Sequence, residues 1–154
     1  MSRAFVKESD QEVDRLPERV VSPHANLVTA SGLRRIETQI QELEVERSTA
    51  RAADDRAMLA RIERDLRYWM QRRGSARVIE PAAEPDVARF GVRVTLRFED
   101  GTQRALRIVG EDEADPARGL VSWVAPIGGA LTGASVGDEL EILGGRATVV
   151  ALER

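Results

Sequence analysis

The 154-residue chain has no cysteine, one histidine and no long hydrophobic run. The missing thiols exclude disulfides, thiolate metal sites and thiol catalysis together, and point to a reducing compartment, the cytoplasm. The lone histidine, His24, stands beside Pro23. With no cysteine and no second base nearby, it reads as a solvated loop residue rather than a catalyst or a metal ligand. No stretch of about 18 apolar residues occurs, and Met1 to Asp14 is charged throughout, so neither a membrane span nor a secretory signal is expected. An excess of one charge is missing too. The 23 basic and 26 acidic side chains leave a formal charge of -3, which argues against autonomous nucleic-acid binding. What remains is a chain with 42% hydrophobic residues, enough for one or two small domains with a modest core.

The stretch from Thr29 to Arg73 reads as an amphipathic helical rod. Leu33, Ile36, Ile40 and Leu43 recur at helical spacing, as do Ile62, Leu66 and Trp69 behind Met58 and Leu59. The segment between the two stripes, Glu44 to Arg56, is charged and free of breakers. Each stripe is too narrow to be stable alone. One solution is an antiparallel hairpin with its tip around Arg51 to Arg56 and Leu33 near the level of Trp69. The other is one unbroken helix paired with a second chain, since no Gly, Pro or Asn marks a bend at Ala52 to Asp55. Thr29 is a suitable N-cap, and Gly74-Ser75 ends the second helical segment behind Arg72-Arg73. Mixed charges along the rod read as a solvated face. Asp54 and Asp55 are different in placement. They serve either as a cap for a returning helix or as neighbouring tip carboxylates able to share a divalent cation supplied by a partner.

Flanking segments are read as follows. Residues 1–28, with Pro17 and Pro23, form a flexible arm, extended or disordered, that is either untethered or docked through Phe5 and Val6. Residues 29–75 are the helical hairpin, and 76–88, with Pro81 and Pro85, are a linker opened by a strand-like piece at Arg77 to Glu80. From Phe90 the apolar period becomes 2, so residues 89–154 form a small α+β domain. Its strands are expected at Phe90–Phe98, Ala105–Val109, Gly119–Ala125, Asp138–Leu143 and Ala147–Leu152, with a short helix behind Pro126. The acidic loop Gly110 to Pro116 lacks EF-hand spacing and reads as a solvated turn.

Three blocks in the second half carry a resemblance. Ile108-Val109-Gly110-Glu111-Asp112-Glu113-Ala114-Asp115, then Ala125-Pro126-Ile127 with Ala130-Leu131 and Gly133, then Val136-Gly137-Asp138 resemble the C-terminal domain of the GreA/GreB transcription elongation factors. Thr29-Ala-Ser-Gly32 with Ile36, Ile40 and Leu43 resembles the start of that family's coiled coil, and Ala76 to Glu80 its end. The resemblance implies an antiparallel coiled-coil hairpin joined to an FKBP-like domain, and so favours the hairpin over the single helix. It further implies a monomeric partner of RNA polymerase that reaches nucleic acid only through the elongation complex. The globular domain would dock at the rim of the secondary channel through Asp112, Glu113, Trp123, Pro126, Ile127 and Leu131. The tip would help hold the polymerase's own Mg2+, so that the polymerase cleaves backtracked RNA. The chain would be no enzyme itself and would carry no metal or other cofactor of its own.

Two departures from the family pattern stand out. Its acidic tip, Gly-Asp-Leu-x-Glu-Asn-Ala-Glu-Tyr, is absent, and Asp54-Asp55 is only a positional substitute. Between Leu43 and Ala76 the chain is also shorter than expected, by ~10 residues per helix or ~15 Å of rod at 1.5 Å per residue. The alternative expectation is therefore a regulator resembling Rnk, which occupies the channel without supplying a tip. A prolyl isomerase, suggested by the fold alone, is not expected, because Phe90, Phe98 and Trp123 are the domain's only aromatics.

Overall fold

The structure, a computed structural model, describes residues 16–154. The docking expected of Phe5 and Val6 lies outside the described residues. The described residues divide into two compact units, one of residues 16–23 and 36–75, the other of residues 24–35 and 76–154.

The first unit is helical. Helix α1 spans Ala30–Ala52, its first turns belonging to the other unit, and helix α2 spans Arg56–Ser75. Between them the chain turns, which excludes the unbroken helix. Ile36, Ile40, Leu43 and Ala50 of α1 and Ile62 and Leu66 of α2 are buried, as their spacing predicts. The stripe is narrower at the turn than expected, because Met58 is exposed and Leu59 only half-buried. Arg51 and Glu63 approach to 3.7 Å across the two helices.

Along α2 lies a piece of the arm. Glu18 accepts two hydrogen bonds from Arg67, from Nε at 3.1 Å and from Nη2 at 2.6 Å. The Arg19 guanidinium stacks 3.8 Å from the Tyr68 ring and lies 3.7 Å from Asp65. An arginine held over an aromatic face by a carboxylate is a specific contact. Glu18 and Arg19 thus have partners, where the sequence suggested an extended or disordered arm.

The second unit contains two sheets. Strand β1, Leu27–Val28, pairs in parallel with β2, Arg77–Val78. The arm thus ends before residue 27, a difference that a two-residue strand is too short to announce by periodicity, while the strand-like piece expected at Arg77 to Glu80 is present as β2 at Arg77–Val78. Strands β3 (Arg93–Phe98), β4 (Gln103–Val109), β5 (Leu120–Ser122), β6 (Glu139–Ile142) and β7 (Gly145–Glu153) form a sheet of order β5-β4-β3-β7-β6. All its pairings are antiparallel except β4 with β5. Helix α3, Pro126–Leu131, follows β5, with proline at its start where a missing N–H costs nothing. Val92, Val94, Leu96, Leu106, Ile108, Val121, Leu131 and Val149 form the core of this α+β unit. Strands and helix fall where the alternation placed them, with shifted ends: the strand expected from Phe90 begins at Arg93, and that expected at Gly119–Ala125 is limited to Leu120–Ser122.

Candidate functional site

The interhelical turn is the first candidate. Asp54 adopts a left-handed backbone with φ 52°, a conformation aspartate tolerates better than most residues. This is what turns the chain where no glycine marks a bend. Its N–H donates to the Arg51 carbonyl at 3.1 Å, and that of Asp55 to the Ala50 carbonyl at 3.0 Å. Asp55 Oδ1 then accepts from the Met58 N–H at 2.9 Å, so Asp55 caps α2. Asp54 has no such duty. Its carboxylate is exposed and without a partner among the described residues. No cluster of three or more acidic or histidine side chains able to hold a metal ion exists among the described residues. The donor set fits a divalent cation only as a supplement to a coordination shell built elsewhere.

The second candidate, the acidic block behind β4, is not the solvated turn expected. Glu113, at the end of the 3-10 turn Glu111–Glu113, is 5% exposed. Its Oε2 accepts a hydrogen bond from Thr29 Oγ1 at 2.5 Å, while Thr29 Oγ1 accepts from the Gly32 N–H at 2.9 Å. Arg35 Nη1 donates to the Glu113 carbonyl at 3.1 Å. The Thr29 hydroxyl therefore relays the negative charge of Glu113 to the amides that open α1, where that charge is stabilising. Closeness depends on a glycine: a Cβ on Gly32 would lie 2.7 Å from Glu113 Oε2. Glu113 is thus an anchor of α1 rather than a docking side chain. Asp112 beside it is half-buried. A cleft of about 360 Å³ opens beside this anchor, lined among others by Ser31, Arg107, Glu113, Arg118 and Arg154.

The third candidate is the surface from Trp123 to Leu131. Pro126 is exposed, and Trp123 and Ile127 are half-buried. Leu131 is 0% exposed, so it belongs to the core and only supports this surface. Trp123 meets the ring of His24 edge-on at 6.2 Å, and its indole N–H is buried without an acceptor among the described residues. Gly128 is required by packing, since a Cβ there would lie 2.1 Å from the Ser122 carbonyl.

Sequence reading took Gly32 as room for close packing but missed Glu113 as the group that fills it, Arg35 as a further partner of Glu113, and the pair of Glu18 with Arg67. The signal for the first was a glycine three positions behind a helix-capping threonine, which marks a close approach. The Arg67 guanidinium, by its hydrogen bonds, holds the Glu18 carboxyl below its ordinary range. Among the described residues, no helix is long and apolar enough to cross a membrane.

Comparison with known proteins gives these features a family. A family model described as "Transcription elongation factor, GreA/GreB, C-term" matches residues 82–153. Transcription elongation factor GreA 1 of Lactiplantibacillus plantarum is 30% identical over 140 residues, covering 79% of this chain and 89% of that protein. The chain belongs to the GreA/GreB family. The GreB factor of Pseudomonas aeruginosa is similar at 33% identity over 133 residues, covering 74% of this chain and 79% of its own length. Against the GreB factor of Neisseria meningitidis serogroup B identity is 36% over 81 residues, and the chain spans about half the length of that relative, 50%. The crystal structure of the GreA factor homolog Gfh1 of Thermus thermophilus is similar at 23% identity and a TM-score of 0.41, covering 85% of this chain and 100% of that one. The match to the Lactiplantibacillus GreA also shows a length difference. Its 140 aligned positions use only 79% of 154 residues, so that GreA has residues with no counterpart here.

Proposed function

We propose that the chain binds RNA polymerase at the secondary channel and regulates elongation, acting through the polymerase's active site rather than as an enzyme. In this reading α1 and α2 form the family's antiparallel coiled-coil hairpin and enter the channel. The globular unit, with an FKBP-like sheet, docks at the rim through Trp123, Pro126 and Ile127, while Asp112 borders the docking face. Glu113 and Leu131 hold that face in shape from within. A single chain suffices for this arrangement.

The observation that carries the proposal is the free carboxylate of Asp54, held by a left-handed backbone at an exposed turn between two helices, in a member of this family. Asp55 fixes the start of α2 and so fixes where Asp54 points. A Mg2+ ion bound by the polymerase would supply charge neutralisation for attack on a phosphodiester. This chain's part is to bring one further carboxylate to it and to exclude competing water. At 23 residues α1 is about 34 Å long at 1.5 Å per residue.

The test is RNA cleavage in backtracked elongation complexes of the cognate polymerase. Asp54→Asn keeps the turn, because asparagine also tolerates the left-handed region, and removes the charge. Cleavage by the wild type that is lost in Asp54→Asn, with binding retained, supports the reading. Absence of cleavage in the wild type, although it displaces a longer family member from polymerase, leaves channel occupancy as the function and removes the metal role from Asp54. Absence of any binding to polymerase refutes the proposal.

A further inference from the structure

One face of the five-stranded sheet is in the core. Val94 and Leu96 of β3, Leu106 and Ile108 of β4 and Ala147 and Val149 of β7 are buried there, so the residues that alternate with them lie on the outer face. The pairing register sets those residues in rows across the strands. In one row Arg93 stands between Arg107 and Glu153, and in another Arg97 stands between Gln103 and Thr148, with Glu139 of β6 beyond. The row between them is small and half-buried: Ala105, Thr95 and Ala151. Crossing this face from β4 to β6 therefore leads from positive to negative charge over a low centre. We propose that the face is a contact between two copies of this chain, related by a two-fold axis that runs along the strands between β3 and β7.

Arg93, Arg97, Glu139 and Glu153 are exposed, and among the described residues their side chains form no ion pair or hydrogen bond. Arg146 on the same face, by contrast, is held by Glu141 at 3.2 Å. The pattern of the free charges selects the occupant. A nucleic acid, or a protein segment of one sign, would meet like charge on half of the face. A second copy meets opposite charge on both halves, because a two-fold contact sets each residue on its complement and the complement on that residue. The axis between β3 and β7 lays Arg93 on the partner's Glu153 and brings Arg97 towards the partner's Glu139, each pair formed twice. It also sets Thr95 on the partner's Ala151. Small side chains matter at that place, since sheets packed face to face lie about 10 Å apart and bulk at the centre would hold the charged flanks out of reach.

None of these residues belongs to the docking surface from Trp123 to Ile127, so the contact is independent of the polymerase reading. It is held by exposed ion pairs, which salt screens.

Sedimentation velocity on the full chain tests it. At about 0.01 M salt, where the screening length is about 30 Å, the average mass is expected to rise with concentration from one chain towards two, and to return to one near 1 M. Arg93→Glu with Arg97→Glu, and separately Glu139→Arg with Glu153→Arg, should each give a monomer with unchanged circular dichroism. An equimolar mixture of the two double variants should recover the doubled mass, because every exchanged charge again meets its opposite. A wild type that keeps one chain mass at all concentrations overturns the proposal. So does a dimer that either double variant retains, which places the contact elsewhere, and so does a mixture of the two folded variants that stays monomeric.

Discussion

Replacing Gly32 with alanine is expected to destabilise the protein, although alanine is the better helix former. In an open helix the change gains about 1 kcal/mol. Here the new Cβ would sit 2.7 Å from Glu113 Oε2, so the carboxylate must withdraw. Withdrawal breaks the 2.5 Å hydrogen bond from Thr29, a charge-assisted contact whose loss is of the order of 1.5–3 kcal/mol. The net cost is therefore about 0.5–2 kcal/mol. Glu113→Ala alone should also destabilise, since it strips the anchor from the start of α1. In the Glu113→Ala background, however, the obstruction is gone, and Gly32→Ala should recover up to about 1 kcal/mol. Urea unfolding of the four proteins, followed by circular dichroism, reads this as a reversal of sign. A Gly32→Ala that stabilises the wild type, or has the same sign in both backgrounds, refutes the close approach.

Asp55→Ala should cost about 0.5–2 kcal/mol through loss of the α2 cap, whereas Asp55→Asn should be near neutral, a difference thermal unfolding would resolve. Gly128→Ala places a Cβ 2.1 Å from a backbone oxygen and should cost about 1–3 kcal/mol or more by urea titration, because neither β5 nor α3 can yield as a side chain would. Leu131→Ala, in the core at 0% exposure, should cost about 2–5 kcal/mol. Glu18 is held below its ordinary value of 4.5 by hydrogen bonds from Arg67. The contact therefore contributes fully above that value and is lost as pH falls through the lowered one. A carboxyl titration by NMR that places Glu18 at or above 4.5 contradicts the contact.

Much of this architecture was legible in the sequence because it rests on local periodicity. The spacing of Ile36, Ile40 and Leu43 and of Ile62 and Leu66 sets the two helices, and the alternation from Val92 to Phe98 sets the sheet. The turn was legible only in part: aspartate at a left-handed position is permitted but not demanded, so the sequence left room for a continuous helix. The role of Glu113 was hidden altogether. An acidic run looks solvated by composition, and what buries Glu113 is a threonine 84 positions earlier. Strand β1 and its pairing with β2 were hidden for the same reason, since the two partners are brought together from far apart in the chain. Of the candidate site, the tip aspartates and the Pro126 turn could be placed from the sequence. Which of their side chains are free could not, since that depends on which amides they cap.

The parallel pairing of Leu27 with Arg77 and of Val28 with Val78 makes everything from Thr29 to Ala76 a closed insertion, a cassette whose two ends are fastened to each other. Loop closure depends only logarithmically on length, about 0.6 kcal/mol per doubling. Whole helical turns can therefore be added to or removed from both helices with little effect on the fastening, provided the apolar period is kept. Chains with short and long rods can share one globular unit on this ground. It also means that longer helices of the same apolar period, spliced between Val28 and Arg77, should fold on this base.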